Sequence, residues 1–283
     1  MAGLHALMRE ALIESVPYPR YLIPLFCMNG QLEYDVSIVI PCYQEEGHIL
    51  DSAKEIYKVM NGTNYRFEII FVDDASTDET RTTILLLANK FPDVRYLFHK
   101  KNIGKGGAIA NGVKIAKGKF IGHLDIDLEV SADYLPEVLS EIEKGNDIVL
   151  IKRKVRLSMN PKYILRDIAG IIHRLFVQKL LRIPHTDVQS GCKFFKRDIL
   201  FSLLDETKAQ GWFFDVEIIT RAYYQNFQIK QIPGYYIRSK KKKSTVRLFS
   251  DGVKQLKKLV RFSYLLSSKR NNTKKHGDIH LVE

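Results

Sequence analysis

The chain has 283 residues, 45% of them hydrophobic, enough to bury the core of one large α/β domain with appendages. Lys and Arg outnumber Asp and Glu by 44 to 32, a formal charge of +12, and this balance favours polyanionic partners: nucleic acid, phosphorylated small molecules or an anionic membrane face. Three scattered cysteines, Cys27, Cys42 and Cys192, exclude a Cys-x-x-Cys zinc knuckle and a disulfide framework, and point to a reducing, cytoplasmic compartment.

Residues 1–35 read as an appendage, with an amphipathic helical pattern in GLHALMREALIES and a proline-punctuated connection in VPYPRYLIP. The segment lacks the basic start and long apolar run of a secretion signal, and no stretch of the chain reaches the roughly 20 apolar residues needed to cross a bilayer. From residue 36 the pattern changes. Short, β-branched-rich runs occupy 36–43, 67–74, 94–100, 119–127 and 147–153, and helical patterns fill 46–60, 78–90, 105–117 and 133–144, the second opened by Asp78 in an N-cap position. Strand and helix alternating at this interval predict a mostly parallel sheet covered by helices on both faces. Beyond 155 the alternation fades into helical stretches at 161–182 and 213–226, and the organisation expected is a catalytic domain over 36–238 followed by a basic amphipathic tail over 239–283.

Ligands of such sheets sit beyond the carboxyl ends of the strands. The chemically unusual residues fall there: Pro41 to Glu45 after the first strand, Asp73 and Asp74 after the second, Asp125 to Glu129 after the fourth, Lys152 and Arg153 after the fifth. In FIGHLDIDLEV, Asp125 and Asp127 alternate onto one face, and Glu129 joins them if the extended geometry persists. Three convergent carboxylates need a cation, and hard oxygen donors select Mg²⁺ or Mn²⁺, which bridge to substrate phosphates. The alternative is a solvated strand end whose acids cap the next helix. FVDDASTD ends an apolar strand in paired acids before a Ser/Thr/Asp turn, so Asp74 is suited to a base N–H or a ribose hydroxyl, while Ser76 and Asp78 read as turn and cap residues. NIGKGGAIANG suits a phosphate but matches neither the dinucleotide-binding nor the ATPase glycine pattern, so NAD binding and ATP hydrolysis lose support.

Taken in order, SIVIPCYQEE, IIFVDDASTDET, NIGKGGAIANGV and GHLDIDLEV resemble the nucleotide-sugar half of inverting glycosyltransferase family 2. The likeness runs on through IKR, LRDIAG, TDVQSGCKFFKRD and GWFFDVEI, covers roughly residues 36–235, and is strongest to the polyprenyl-phosphate and dolichyl-phosphate hexosyltransferases, in particular the glucosyltransferase branch. The resemblance implies a glycosyltransferase A-type fold and a metal-dependent, inverting transfer of a hexose from a UDP- or GDP-sugar to a polyprenyl phosphate. It implies that Pro41, Tyr43 and Glu45 line the nucleoside and that Asp74 meets the base. Asp125, Asp127 and Glu129 would form the metal-binding stretch, with Asp127 the principal ligand and Glu129 standing where relatives commonly have Gln. Arg153 and Arg166 match phosphate-contacting positions, Ser190 lies in a loop near the sugar, and Arg238 matches a further phosphate contact. The donor-binding set is completed by Lys105 and by Ile126 between the acids. Asp215 of WFFDVE would be the base if the acceptor were a hydroxyl, and would order the acceptor loop if it were a phosphate.

Relatives acting on polyprenyl phosphate often carry transmembrane helices or borrow a membrane-protein partner. Here the expected anchor is the stretch KKKKSTVRLFSDGVKQLKKLVRFSYLL, whose Leu248, Phe249, Val253, Leu256, Val260 and Phe262 are spaced for one apolar face among lysines. It suits an interfacial helix on an anionic, cytoplasmic membrane surface or, equally, a helix packed on the domain. The segment 172–183 is a second candidate that reads more readily as core packing. Two further functions compete: transfer to a hydroxyl of a soluble or cell-surface glycan, and nucleic-acid binding. The second is suggested by charge alone and disfavoured because the tail's lysines alternate with aliphatic rather than aromatic residues.

Overall fold

The computed structural model describes residues 32–154, 161–183, 186–236 and 255–267. The elements in order are β1 (Tyr34–Cys42), α1 (Ile49–Asn61), β2 (Phe67–Asp73), α2 (Thr80–Lys90), β3 (Val94–Phe98), α3 (Lys105–Ile115), β4 (Gly118–Leu124), a 3₁₀ turn (Ala132–Tyr134), α4 (Leu135–Glu143) and β5 (Ile148–Lys154). Then follow α5 (Pro161–Leu181), β6 (Cys192–Lys196), α6 (Arg197–Glu206), α7 (Phe214–Tyr224), β7 (Ile229–Tyr235) and α8 (255–267). Residues 1–31 of the expected appendage, residues 240–254 of the expected anchor and Arg238 lie outside the described residues, as does the chain after 267, and Tyr34 and Asp35 belong to β1.

One seven-stranded sheet runs in the order β3-β2-β1-β4-β6-β5-β7. β1 pairs in parallel with β2 and β4, β2 with β3, and β5 with β7, while β6 lies antiparallel between β4 and β5. The strand order departs in both directions from β1, so the gap between the carboxyl ends of β1 and β4 is the switch point at which open α/β sheets bind ligands.

Alternate residues of each strand feed separate cores. Ile38, Ile40, Ile69 and Phe71 pack with Ile49, Ile56, Ile84, Leu135 and Leu139 of α1, α2 and α4 on one face. Val39, Ile70, Val72 and Ile121 pack with α3, α5, α6, α7 and α8 on the other. Every residue of β2 is buried, as a central parallel strand covered on both faces requires.

Two regions differ from the sequence expectations. β6, α6 and β7 fill the stretch where the alternation seemed to fade. The segment 172–183 is only half core: Val177 and Leu181 are buried, but Ile172, Leu175 and Phe176 are exposed and extend, with Ile164 and Ile168, an apolar stripe along α5. α8 packs on the domain through Leu259 and Phe262, the latter edge-to-face on Phe213, yet it leaves Leu256, Val260, Tyr264 and Leu265 in solvent beside Lys257, Lys258 and Arg261.

Candidate functional site

The site is built where β1, β2, β4 and β5 end. β4 stops at Leu124, and Asp125 begins a turn closed by the Leu128 N–H donating to the Asp125 carbonyl at 3.1 Å, with Leu128 at φ +47°. The extended geometry that would align three acids therefore does not persist. Glu129 is drawn away, its carboxylate accepting the Tyr236 hydroxyl. Asp127 caps its own turn, accepting the Glu129 N–H at 3.4 Å. Ile126, expected at the donor, turns its side chain into the core, and its carbonyl accepts the Ser52 hydroxyl. Among the described residues no three His, Cys, Asp or Glu side chains gather closely enough to hold an ion, so the expected three-carboxylate cluster is reduced to Asp125 and Asp127 at the sheet edge.

Asp125 is tied from two sides. Its backbone N–H donates to the Gly191 carbonyl at 2.9 Å, and a β-carbon on Gly191 would stand 2.6 Å from its Oδ2, so a larger residue there would displace the carboxylate. Its Oδ1 lies 2.7 Å from the Lys105 ammonium, which also lies 3.2 Å from Asp215 Oδ2. Burial works against the Lys105 ammonium, but these two carboxylates outweigh it and raise its pKa.

Asp215, at the start of α7, is 3% exposed. Its Oδ1 accepts a 2.6 Å hydrogen bond from Lys193, a lysine with no exposed surface, and His123 Nε2 lies 3.2 Å away without the alignment of a hydrogen bond. Burial disfavours the charged carboxylate, yet the Lys105 and Lys193 ammoniums hold the Asp215 pKa well below the usual range. A carboxylate so held is a weak proton acceptor.

The nucleoside side of the edge is more closed than the motif suggests. Asp74 is 3% exposed, and both its oxygens are taken: Oδ1 by His99 Nδ1 at 2.8 Å and the Ile103 N–H at 2.9 Å, Oδ2 by the Gly104 N–H at 2.7 Å. It thus holds the entry to α3, at the helix end where a phosphate was expected to dock. A further donor of that first turn, the Gly107 N–H, is taken by the Gln210 carbonyl at 2.7 Å. Glu45 is also buried, its N–H bonded to Thr80 and its Oε2 2.9 Å from His48, whereas Tyr43 is 45% exposed and Pro41 half-buried beside Val72.

Arg153 at the end of β5 makes a forked pair with Asp187, Nε to Oδ2 at 2.8 Å and Nη2 to Oδ1 at 2.9 Å, and its guanidinium lies 5.8 Å from the Tyr236 ring centre. Ser190 is fully buried and bonds the Cys192 backbone, so it shapes the loop rather than facing the edge. Arg166 lies in α5, and its side chain is outside the described residues. Sequence reasoning missed His123, Asp187, Lys193 and Tyr236. Two of them carried a signal, since His123 and Lys193 sit inside the apolar runs FIGHL and CKFF.

The protein-family model for glycosyl transferase family 2 matches residues 37–203. A dolichyl-phosphate beta-glucosyltransferase of Saccharomyces cerevisiae is 30% identical over 268 residues, covering 86% of this chain and 78% of the relative. One from Dictyostelium discoideum is 26% identical over 82% of this chain and 75% of its own. Among solved structures, glucosyl-3-phosphoglycerate synthase from Mycobacterium tuberculosis in complex with UDP shares the fold with a TM-score of 0.63 at 17% identity, over 82% of this chain and 80% of that one. The order of strands, the acids at their carboxyl ends and the extent of these matches agree: the chain is a glycosyltransferase of A-type fold and belongs to glycosyl transferase family 2.

Proposed function

We propose that the chain transfers a hexose from a nucleoside-diphosphate sugar to a polyprenyl phosphate, of which dolichyl phosphate is the instance named for its relatives, with inversion at the anomeric carbon. The observation that carries the choice of acceptor is the state of Asp215. A sugar hydroxyl needs a base to remove its proton; a phosphate monoester is already an anion near neutral pH, its second pKa lying near about 6. Asp215 is buried, paired to two lysines and held ionised, which suits an acceptor needing no base.

Asp125 and Asp127 are hard oxygen donors, and with Asp125 still 31% exposed they fit Mg²⁺ or Mn²⁺, which take one or two carboxylates and complete their shell with phosphate and water. The M. tuberculosis synthase has been solved with Mn²⁺ and UDP and with Mg²⁺ and UDP. Such an ion, when bound, neutralises charge on the departing diphosphate. Glu129, engaged by Tyr236, leaves the ligand set in this reading. Lys105 adds a fixed positive charge beside the leaving group, and Tyr43 offers an exposed ring for a base to stack on. Arg153, Arg166 and Arg238 are assigned to the phosphates of donor and acceptor, Arg153 held in one orientation by its two bonds to Asp187.

The exposed apolar residues of α5 and of α8, with the lysines and arginine of α8 among them, support attachment to an anionic membrane surface on the cytoplasmic face, where a polyprenyl phosphate would be met. Among the described residues no helix is long and apolar enough to cross a membrane. The test is incubation with radiolabelled UDP-glucose, GDP-mannose and related nucleotide sugars, a short polyprenyl phosphate and Mn²⁺, followed by organic extraction. Label in the organic phase fits the reading; label appearing only on a soluble glycan acceptor replaces it with transfer to a hydroxyl.

A further inference from the structure

Beneath the paired acids lies a line of charge whose innermost member, Lys193, was given no role by any motif. Lys193 is the second residue of β6, opposite His123 of β4 across the antiparallel pair, and it has no exposed surface. A lysine in that position is unfavourable unless its charge is met. It is met twice, by the Ser190 carbonyl and by Asp215 Oδ1 at 2.6 Å. The other oxygen of Asp215 reaches Lys105 at 3.2 Å, and Lys105 reaches Asp125 at 2.7 Å. The line therefore alternates in sign from the core to the sheet edge: Lys193, Asp215, Lys105, Asp125.

Lys105 is its outermost cation, 11% exposed and 5.4 Å from the centre of the Trp212 ring. An ammonium has three N–H bonds, and with two carboxylates within 3.2 Å of this one it keeps capacity for a third partner, an anion at the mouth. With Asp125 alone as partner, a flexible lysine would fold onto that acid and compete with any cation for it. The second carboxylate, 3.2 Å from the same ammonium, shares its charge with the nearer Asp125 at 2.7 Å, and Lys193 fixes that second carboxylate in place.

We propose that Lys193 and Asp215 are positioning residues for donor binding: Asp215, fixed from below by Lys193, is the second anchor that holds the Lys105 ammonium toward the diphosphate of the donor. The inference rests on the nucleotide-sugar reading above. It differs from a purely structural role, in which Lys193 only neutralises a buried Asp215 and the pair could be replaced by any neutral pair of like shape.

The experiment uses the full-length protein and measures UDP and GDP binding by calorimetry, with EDTA and with Mn²⁺, alongside thermal melting. Lys193→Met alone should lower the melting temperature, because it strands the Asp215 carboxylate. Lys193→Met/Asp215→Asn keeps the net charge of the cluster and should recover most of that stability. If the pair positions Lys105, nucleotide affinity in EDTA should nevertheless remain about tenfold below wild type, the scale of one charge-assisted hydrogen bond. Lys105→Met should cause the same loss, and adding it to the double variant should cost nothing more. Wild-type affinity in the double variant, or losses that multiply in the triple variant, would overturn the proposal. Should Lys193→Met not fold, the cycle of Lys105→Met with Asp215→Asn carries the same test: non-additive losses support it and additive losses refute it. A wild-type protein that binds neither nucleotide fails the nucleotide-sugar reading itself, and the positioning role with it.

Discussion

Replacing Arg153 by Lys keeps the charge and removes the geometry. The arginine grips Asp187 through two near-parallel bonds of 2.8 and 2.9 Å, and Asp187 is 1% exposed while Arg153 is 22% exposed, so water can do little to replace what is lost. Burial opposes the Asp187 carboxylate, but the guanidinium prevails and keeps its pKa below the ordinary value. A lysine retains one of the two bonds. Losing the other costs about 2 kcal/mol, within the range for hydrogen bonds to charged groups, and part is recovered because Oδ1 still accepts the Gln189 N–H at 3.3 Å. For a domain of this size that is a fall of about 4–8 °C in melting temperature. Arg153→Ala, which leaves Asp187 buried and unpaired, should cost more, about 3 kcal/mol. Thermal melts of the three proteins at pH 7 provide the assay, with acceptor KM measured in parallel: the lysine variant should raise KM because its head no longer presents a rigid fork. A melting temperature within about 1 °C of wild type and an unchanged KM would show that only the charge at this position matters, and the forked pair would lose its role.

Asp127→Ala should abolish transfer at a small cost in melting temperature, since the side chain is partly exposed and its bond to the Glu129 N–H is a long one of 3.4 Å; near-normal turnover at saturating Mn²⁺ would remove Asp127 from the metal site. Acid stability should fall in two steps. Burial lowers the His173 pKa, so its stabilisation is complete above the unfolded value of about 6.5 and is lost as pH drops below it, because the unfolded imidazole takes up the proton first. The depressed Asp187 carboxylate adds a second loss below the ordinary carboxylate range. Burial lowers the His123 pKa in the same way, so His173→Gln should shrink the first step of a melting profile between pH 7 and 5 without removing it, and an unaltered profile would assign the step to His123 alone. Cys192 is buried with its thiol pKa pushed up to about 12, so iodoacetamide at pH 8 should leave it unmodified in the native protein and label it in denaturant; native labelling, read by peptide mass, would contradict the burial.

The fold was legible as far as β5 because its strands are nearly all apolar and each is followed by a helical period; Ile148–Lys154 closes that series. β6 escaped because CKFFK is five residues with two lysines, and a lysine inside a strand reads as exposed unless its partner is known. That partner, Asp215, is 22 residues away on another element. β7 escaped because Pro233 and Gly234 interrupt it, residues that a sheet admits at an edge, which is where it lies. The acids were placed at the right edge for the right reason, but D-I-D-L-E imitates strand alternation while its backbone turns. A left-handed Leu128 has no signature in residue type, since leucine seldom adopts that conformation. Asp74 illustrates the same limit: its position at a strand end was readable, whereas the Ile103 and Gly104 N–H groups and the His99 imidazole that occupy its oxygens come from turns that only the folded chain brings near.

The reversed strand β6 has a bearing on how the chain survives its own synthesis. All strands of the parallel half, β3-β2-β1-β4, have been made once Leu124 has emerged, but one face of that half still waits for α5 to α8 and the far edge of β4 waits for β6. That edge, with Phe120 and Ile121 on it, stays unpaired until Cys192–Lys196 are made and inserted backwards against it. A bare apolar edge is a template for pairing with other nascent chains. A protein cut short between β5 and β6 would thus keep most of its donor-side sheet and still be expected to aggregate, and the intact chain shields itself only when its last third folds back.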